Sequence, residues 1–259
     1  MDRILPLEGV RNFRDFGGWE AADGRRVRRG RLYRSGHFSA ATAADWSQIQ
    51  ALNVKTVTDL RRSTERDRDP SAWPEHWRVQ VLASDDANLG EAPHITFLKE
   101  SEITEDSTRG YMMGSYRRIP FEAGHQALFR QFFEAAEKGE GAALVHCAAG
   151  KDRTGVLCAL VLEALGTPRE AVLEDYLMTN EAVRVDSVLP KVAERMNAAL
   201  NLNASPEALR PMIGVDSDYI HAAFDEIETK AGSVEAYLES ALGQDRKAIA
   251  ALRAALLED

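Results

Sequence analysis

Hydrophobic and polar positions change period several times along the chain, and each change predicts an element. Residues 13–34 come in short apolar bursts broken by Gly17-Gly18 and Asp23-Gly24. Asp-Gly is a tight-turn signal, so this segment predicts short strands and hairpins. Residues 40–52 carry Trp46, Ile49 and Leu52 at helical spacing. The β-branched run from Val54 to Leu60 predicts a buried strand that ends on polar Asp59. Residues 77–81 put Trp77, Val79 and Val81 on one face and predict another strand. From His125 to Lys138, the positions Leu128, Phe129, Phe132, Phe133 and Ala136 form one helical stripe, with Gly139 as its stop. Ala142 to His146 is a short apolar strand, and a helix follows over 154–165 with Gly166 at its end. Cys158 lies on that apolar helix and reads as core. Thr167-Pro168-Arg169-Glu170 reads as a capping box, and residues 168–258 as mostly helical.

Strands alternating with helices over 40–165 predict an α/β fold: a central, mainly parallel sheet flanked by helices, in a single domain spanning residues 1–259. Residues 85–120 break the pattern. They are polar and acidic with poor periodicity, and they are long for a loop in a compact domain. A lid or binding element is the expectation there.

Composition narrows the class. The 259 residues are 44% hydrophobic and 28% charged, as in a soluble globular protein. No apolar run reaches membrane-spanning length, so no stable membrane insertion is expected, and the first residues hold no signal-peptide core. A cytoplasmic location is the default. Two cysteines make no disulfide framework, and Cys147 and Cys158 would stand roughly 15 Å apart along a helix, too far for a bridge. The net charge of −9 argues against a nucleic-acid partner, and it means that an anionic substrate needs a locally positive pocket. Arg25, Arg26, Arg28, Arg29, Arg31 and Arg34 form a basic stretch that reads as a solvated hairpin face. The six histidines show no metal-ligand spacing, and no cofactor or metal is expected. Oligomeric state leaves no trace in the sequence.

The chemistry concentrates in one stretch, His146-Cys147-Ala148-Ala149-Gly150-Lys151-Asp152-Arg153-Thr154. It sits between a strand and a helix, where ligands collect in open α/β sheets. A helix N-terminus offers unpaired N–H groups and a positive dipole end to an anion. Ala148, Ala149 and Gly150 are small enough for the backbone to curl around a ligand, and Arg153 adds a planar fork for two phosphate oxygens. A cysteine at a helix N-terminus beside cations is more readily a thiolate. Cys147 is therefore the candidate in-line nucleophile, with a cysteinyl-phosphate as intermediate. Thr154 could donate to the sulfur and His146 could orient the loop. Amides and Arg153 would stabilise the phosphoryl group without a metal. A Walker loop is excluded, because its first glycine would fall at Val145.

These residues resemble the signature of the cysteine-dependent protein tyrosine phosphatases. The fuller string His146 to Gly155 is similar to the atypical bacterial, mycobacterial tyrosine phosphatase B-like branch. Asn12-Phe13-Arg14-Asp15, Arg31 to Ser35, Asp59-Leu60-Arg61, Asp175 to Asn180 and Gly232-Ser233 to Tyr237-Leu238 carry the likeness over residues 8 to 256. The resemblance implies a tyrosine phosphatase fold with an extra helical lid. It also implies phosphotyrosine proteins as substrates, with phosphoserine/threonine or phosphoinositides in addition, and export without a signal peptide in some members. Other enzymes with Cys-x5-Arg loops transfer sulfur or reduce arsenate, and a phosphate-binding module without turnover is a further reading of the same loop.

The proton source stays open. Trp73-Pro74-Glu75 mimics the acid loop of other tyrosine phosphatases, but it lies 72 residues before Cys147 and reads as an ordinary turn. A carboxylate beside a phosphate dianion is driven towards its protonated form, which favours Asp152, while Lys151 and Arg153 oppose that effect. The resemblance implies the loop aspartate as acid. The rival reading has Asp152 orienting the loop and Asp59, at a strand end, assisting proton transfer, unless Asp59 simply pairs with Arg61. Lys151 could meet an additional substrate phosphate or pair with a carboxylate. Arg14 is expected to brace the loop rather than line the pocket.

Overall fold

The structure is a computed structural model that describes residues 3–71, 73–84 and 92–259. The chain opens with β1 (Arg14–Asp15), β2 (Arg26–Val27) and β3 (Leu32–Ser35), then α1 (Ala43–Gln50), β4 (Val54–Asp59), α2 (Ser63–Arg68) and β5 (Gln80–Ala83). α3 (Pro93–Glu100), α4 (Glu105–Arg118) and a 3-10 turn at Ile119–Phe121 lead to α5 (Ala123–Lys138), β6 (Ala142–His146) and α6 (Asp152–Leu165). The remainder is α7 (Arg169–Val183), α8 (Val185–Leu200), α9 (Pro206–Ile213), α10 (Ser217–Ala231), α11 (Val234–Leu242), α12 (Arg246–Leu256) and β7 (Leu257–Glu258).

The main sheet has the order β1-β3-β6-β4-β5, parallel except for β1 at the edge. β6 lies in its centre and is buried along its whole length. Its side chains alternate between two cores, as the pleat requires. Ala142 and Leu144 pack with Phe38, Trp46 and Ile49 under α1, while Ala143 and Val145 pack against α5, α6 and the C-terminal helices. α6 is apolar nearly all round and is correspondingly buried on nearly all sides, with Leu157, Leu160 and Leu162 at 0% exposure. Each such leucine contributes roughly 1.5–3 kcal/mol of burial. The helix that carries Asp152 and Arg153 at its N-terminus is thus firmly seated in the core.

The α/β architecture and the elements α1, β4, α5, β6 and α6 lie where the sequence predicts them. Four details differ. β5 begins at Gln80 rather than 77, because Trp77 and Val79 pack onto the Trp46–Trp73 cluster before the strand pairs with β4. The Thr167–Glu170 capping box does not form. The Thr167 N–H is drawn into the end of α6, donating to Leu162 O at 3.0 Å, and Pro168 rather than Thr167 caps α7. β7 pairs with β2 at the very end of a helical region, joining the C-terminus to the N-terminal hairpin. Arg34, counted in the solvated basic stretch, is fully buried.

Within 85–120, the stretch 85–91 lies outside the described residues; the rest forms α3 and α4. α4 buries only Thr108, Met112 and Tyr116, one residue per turn, which explains its weak periodicity. α3 seats Leu98 among Ala193, Ala204 and Leu209, and Phe97 stacks on Tyr111 at 4.4 Å.

Candidate active site

The loop from Cys147 to Lys151 leaves the carboxyl end of β6 and turns into α6. Its carbonyls are tied to the surrounding scaffold. Ala148 O accepts from the His37 N–H at 3.1 Å, Gly150 O accepts from Asn12 Nδ2 at 2.8 Å and Arg34 Nη2 at 3.1 Å, and Lys151 O accepts from the Gly155 N–H at 2.8 Å. Among the described residues no hydrogen bond engages the N–H groups of Ala148, Ala149 and Gly150. Fixing the carbonyls outwards leaves those amides for an anion in the concavity. Gly150 makes the turn at φ +67°, and a Cβ there would lie 2.1 Å from Ser35 O, so only glycine fits.

The scaffold behind the loop is a buried charge cluster. Arg34 Nη1 donates to Asp175 Oδ2 at 2.8 Å. Arg14 Nη2 donates to Asp175 O at 3.0 Å and to Thr179 Oγ1 at 3.1 Å, and its Nη1 donates to Asn12, which in turn holds the loop. Arg14 therefore braces the loop from behind and does not line the cavity.

A cavity of about 250 Å³ opens over Cys147, Ala148, Ala149, Asp152 and Arg153. Residues of α2, α3, α4 and the start of α5 wall it, including Arg62, Arg68, Arg118, His94 and His125. These arginines supply the local positive field that a chain of net charge −9 needs around an anionic ligand. Arg153 is held in place by Glu65 of α2. Nη1 donates to Glu65 Oε2 at 2.6 Å and to Leu60 O at 2.9 Å, and Nη2 donates to Glu65 Oε1 at 2.8 Å. Burial pushes the Glu65 carboxyl up, but the Arg153 hydrogen bonds and charge outweigh it and bring it down to about 2.

Asp152 opens α6 and faces the cavity. Its Oδ1 accepts from Tyr116 Oη at 2.8 Å and lies 3.3 Å from Lys151 Nζ. The sequence leaves Lys151 either to a second substrate phosphate or to a nearby carboxylate, and its 3.3 Å approach to Asp152 fits the second. In the structure its ammonium is buried and donates to Met212 O and, at 3.1 Å, to Gly214 O, so it ties the loop to the end of α9. Two carbonyls and a carboxylate offset the cost of burying that cation.

Asp59 is likewise directed away from the cavity. Arg61 Nη2 donates to its Oδ2 at 2.7 Å and the His146 Nε2 lies 3.6 Å from the same oxygen. The pairing with Arg61 prevails because both groups are buried and each needs a counter-charge. Burial opposes ionisation of Asp59, yet His146 and Arg61 hold its carboxyl below the ordinary value. Burial lowers His146 to about 4, so the ring is neutral near neutral pH; Nδ1 lies 3.3 Å from Cys147 O. Thr154 Oγ1 is buried and has no hydrogen-bond partner among the described residues. Glu75 is exposed on the turn closed by the Trp77 N–H to Pro74 O bond at 2.9 Å, and does not line the cavity.

Sequence reasoning missed Glu65, Tyr116 and the cavity arginines. Glu65 had a signal: it follows the end of β4 by six residues, within reach of a pocket at the strands' carboxyl ends. Tyr116 had none, because it lies in the weakly patterned stretch.

A thiol at a strand end, an amide-lined loop, a helix N-terminus and a forked arginine over one cavity define a cysteine-dependent phosphatase. The chain belongs to the tyrosine phosphatase family, whose profile, described as "Tyrosine phosphatase family", matches residues 5–258. It is 32% identical over 245 residues to a Cupriavidus necator chain provisionally named a tyrosine-protein phosphatase, covering 93% of this chain and 85% of that one. It is 31% identical over 282 residues to the triple specificity protein phosphatase PtpB of Mycobacterium tuberculosis, covering 98% and 99%. A human tyrosine phosphatase-like serine/threonine/tyrosine-interacting protein aligns in structure over 76% of this chain and 91% of that one, at 15% identity and a TM-score of 0.35, too low to bear on the assignment.

Proposed function

We propose that the protein hydrolyses phosphotyrosine through a cysteinyl-phosphate, with Cys147 as nucleophile, Arg153 and the loop amides as phosphoryl clamp and Asp152 as acid. The observation that carries this is the convergence of Cys147, Asp152 and Arg153 on one cavity at the N-terminus of α6. The Cys147 sulfur attacks phosphorus, the bond to the leaving oxygen breaks, and that oxygen takes a proton from Asp152. Water then attacks the phosphorus of the intermediate, gives its proton to Asp152, and releases phosphate as the sulfur departs. The buried Thr154 hydroxyl, without another partner among the described residues, is the donor assigned to that departing sulfur.

Arg62, Arg68 and Arg118 widen the substrate range in this reading. They line the cavity mouth and suit a second phosphate, as on a phosphoinositide or beside a phosphoserine or phosphothreonine. The name of the mycobacterial relative supports such breadth. The part of 85–120 that forms α3 and α4 acts as a lid, an assignment supported by the residues that both helices place on the cavity wall. Among the described residues no helix is long and apolar enough to cross a membrane. The cytoplasm, where thiols stay reduced, suits the free Cys147 thiol.

The test is a substrate panel of phosphotyrosine and phosphoserine peptides and phosphoinositides on wild type, Cys147→Ser, Arg62→Ala and Arg118→Ala. Cys147→Ser should abolish all turnover, and the arginine variants should lose phosphoinositide activity more than phosphotyrosine activity. Full activity in Cys147→Ser would overturn the mechanism; equal losses on all substrates would overturn the role of the arginines.

A further inference from the structure

Asp152 is gripped on one oxygen only. Tyr116 Oη and Lys151 Nζ both address Oδ1, at 2.8 and 3.3 Å, and no hydrogen bond among the described residues reaches Oδ2. The side chain is 27% exposed, on the cavity wall. Oδ1 accepts the Tyr116 proton and lies against the Lys151 ammonium, which leaves Oδ2 as the oxygen placed to present a carboxyl proton.

Tyr116 is equipped to act as a one-way donor. Its own oxygen accepts from Tyr176 Oη at 2.6 Å, which commits the Tyr116 proton to Asp152. Both rings are buried, and burial drives both phenols upwards, so the chain Tyr176–Tyr116–Asp152 keeps its protons over the working range. The groups that face Asp152 are Tyr111 and Tyr116 of α4, Lys151 and Arg153 of its own loop, Tyr176 of α7 and Tyr219 of α10. Burial raises all four phenols, so none of them ionises near neutral pH.

We propose that Tyr116 is the positioning residue of the proton donor: oriented by Tyr176, its hydroxyl holds Oδ1 of Asp152 so that Oδ2 presents the proton to the leaving-group oxygen. This rests on the reading of Asp152 as the acid. It also couples the segment that covers the site to the chemistry, since α4 supplies the hydroxyl and Lys151 ties the same carboxylate to α9.

The experiment compares kcat and KM of Tyr116→Phe, Tyr176→Phe and Asp152→Asn on an alkyl phosphate and on an aryl phosphate with a good leaving group. Asp152→Asn should slow the alkyl substrate far more than the aryl one. Tyr116→Phe should lower kcat on the alkyl phosphate about tenfold with KM nearly unchanged, and leave the aryl rate within about twofold. Tyr176→Phe, which keeps the Tyr116 contact intact, should show the same signature at smaller size and serves if Tyr116→Phe fails to fold. A leaving-group ratio and kcat on the alkyl phosphate identical to wild type in both phenylalanine variants, with Asp152→Asn behaving as expected, would overturn the role of Tyr116 alone. Equal slowing of both substrates by Asp152→Asn would overturn the acid assignment and this inference with it.

Discussion

Replacing Glu65 by glutamine asks whether Arg153 is held by charge or by shape. The two residues share a paired hydrogen bond, at 2.6 and 2.8 Å, with side chains only 17% and 10% exposed. Burial disfavours the Glu65 charge, yet the Arg153 hydrogen bonds and charge bring its carboxyl from 4.5 to about 2. At ~1.4 kcal/mol per pH unit, that corresponds to ~3 kcal/mol in favour of the ionised form in the folded chain. The amide keeps the outline but loses the charge, and it turns one N–H donor towards the guanidinium. Glu65→Gln should therefore cost about 2–3 kcal/mol of stability at pH 7. The sign with pH follows from the lowered carboxyl: the contribution is complete above 4.5 and is lost as pH falls through about 2. Urea unfolding of both proteins from pH 7 to about 3.5 should show the gap narrowing by roughly 1 kcal/mol. Kinetically, the variant should lose the same factor on good and poor leaving groups, since Arg153 addresses the phosphoryl group. A gap below about 0.5 kcal/mol, or one that does not change with pH, would refute the argument.

Gly150→Ala should destabilise the chain by about 3 kcal/mol in urea unfolding. The new Cβ would meet Ser35 O at 2.1 Å and Gly36 N at 2.6 Å, at a φ of +67°; a loss under about 1 kcal/mol would mean that the loop can move away. Asp175→Asn keeps the volume but leaves Arg14 and Arg34, both 0% exposed, without their carboxylate. About 3–5 kcal/mol should be lost, and a neutral outcome in thermal unfolding would show that the carbonyl partners suffice. Burial pushes the Cys158 thiol up to about 12, so iodoacetamide on the native protein should alkylate Cys147 and spare Cys158. Comparable labelling of both cysteines by peptide mass spectrometry would contradict this.

The fold was legible where one residue type had one job. β6 and α6 announce themselves because they are apolar on nearly all sides, and the loop between them could be assigned from its small residues together with Cys147, Arg153 and the strand–loop–helix setting. β5 slipped by three residues because the aromatic pattern of Trp77 and Val79 serves a cluster beneath the sheet instead of strand pairing. In the site, Cys147 and Arg153 were readable because their spacing encodes a geometry local to one turn of chain. Glu65, Tyr116 and Arg34 act on the loop from α2, α4 and β3, and contacts that distant in sequence leave no periodic trace. Lys151 and Asp59 look like site residues by position, yet their charged ends face other buried partners, and a side chain's direction is a property of packing.

The central claim is a covalent phosphoryl-enzyme at Cys147. The most direct measurement is acid quenching during turnover of an aryl phosphate, followed by peptide mass spectrometry. One phosphoryl group should be found on the peptide that contains Cys147, more of it in Asp152→Asn if that variant also slows the water step, and none in Cys147→Ser. A label on any other residue, or continued turnover in Cys147→Ser, would contradict the account.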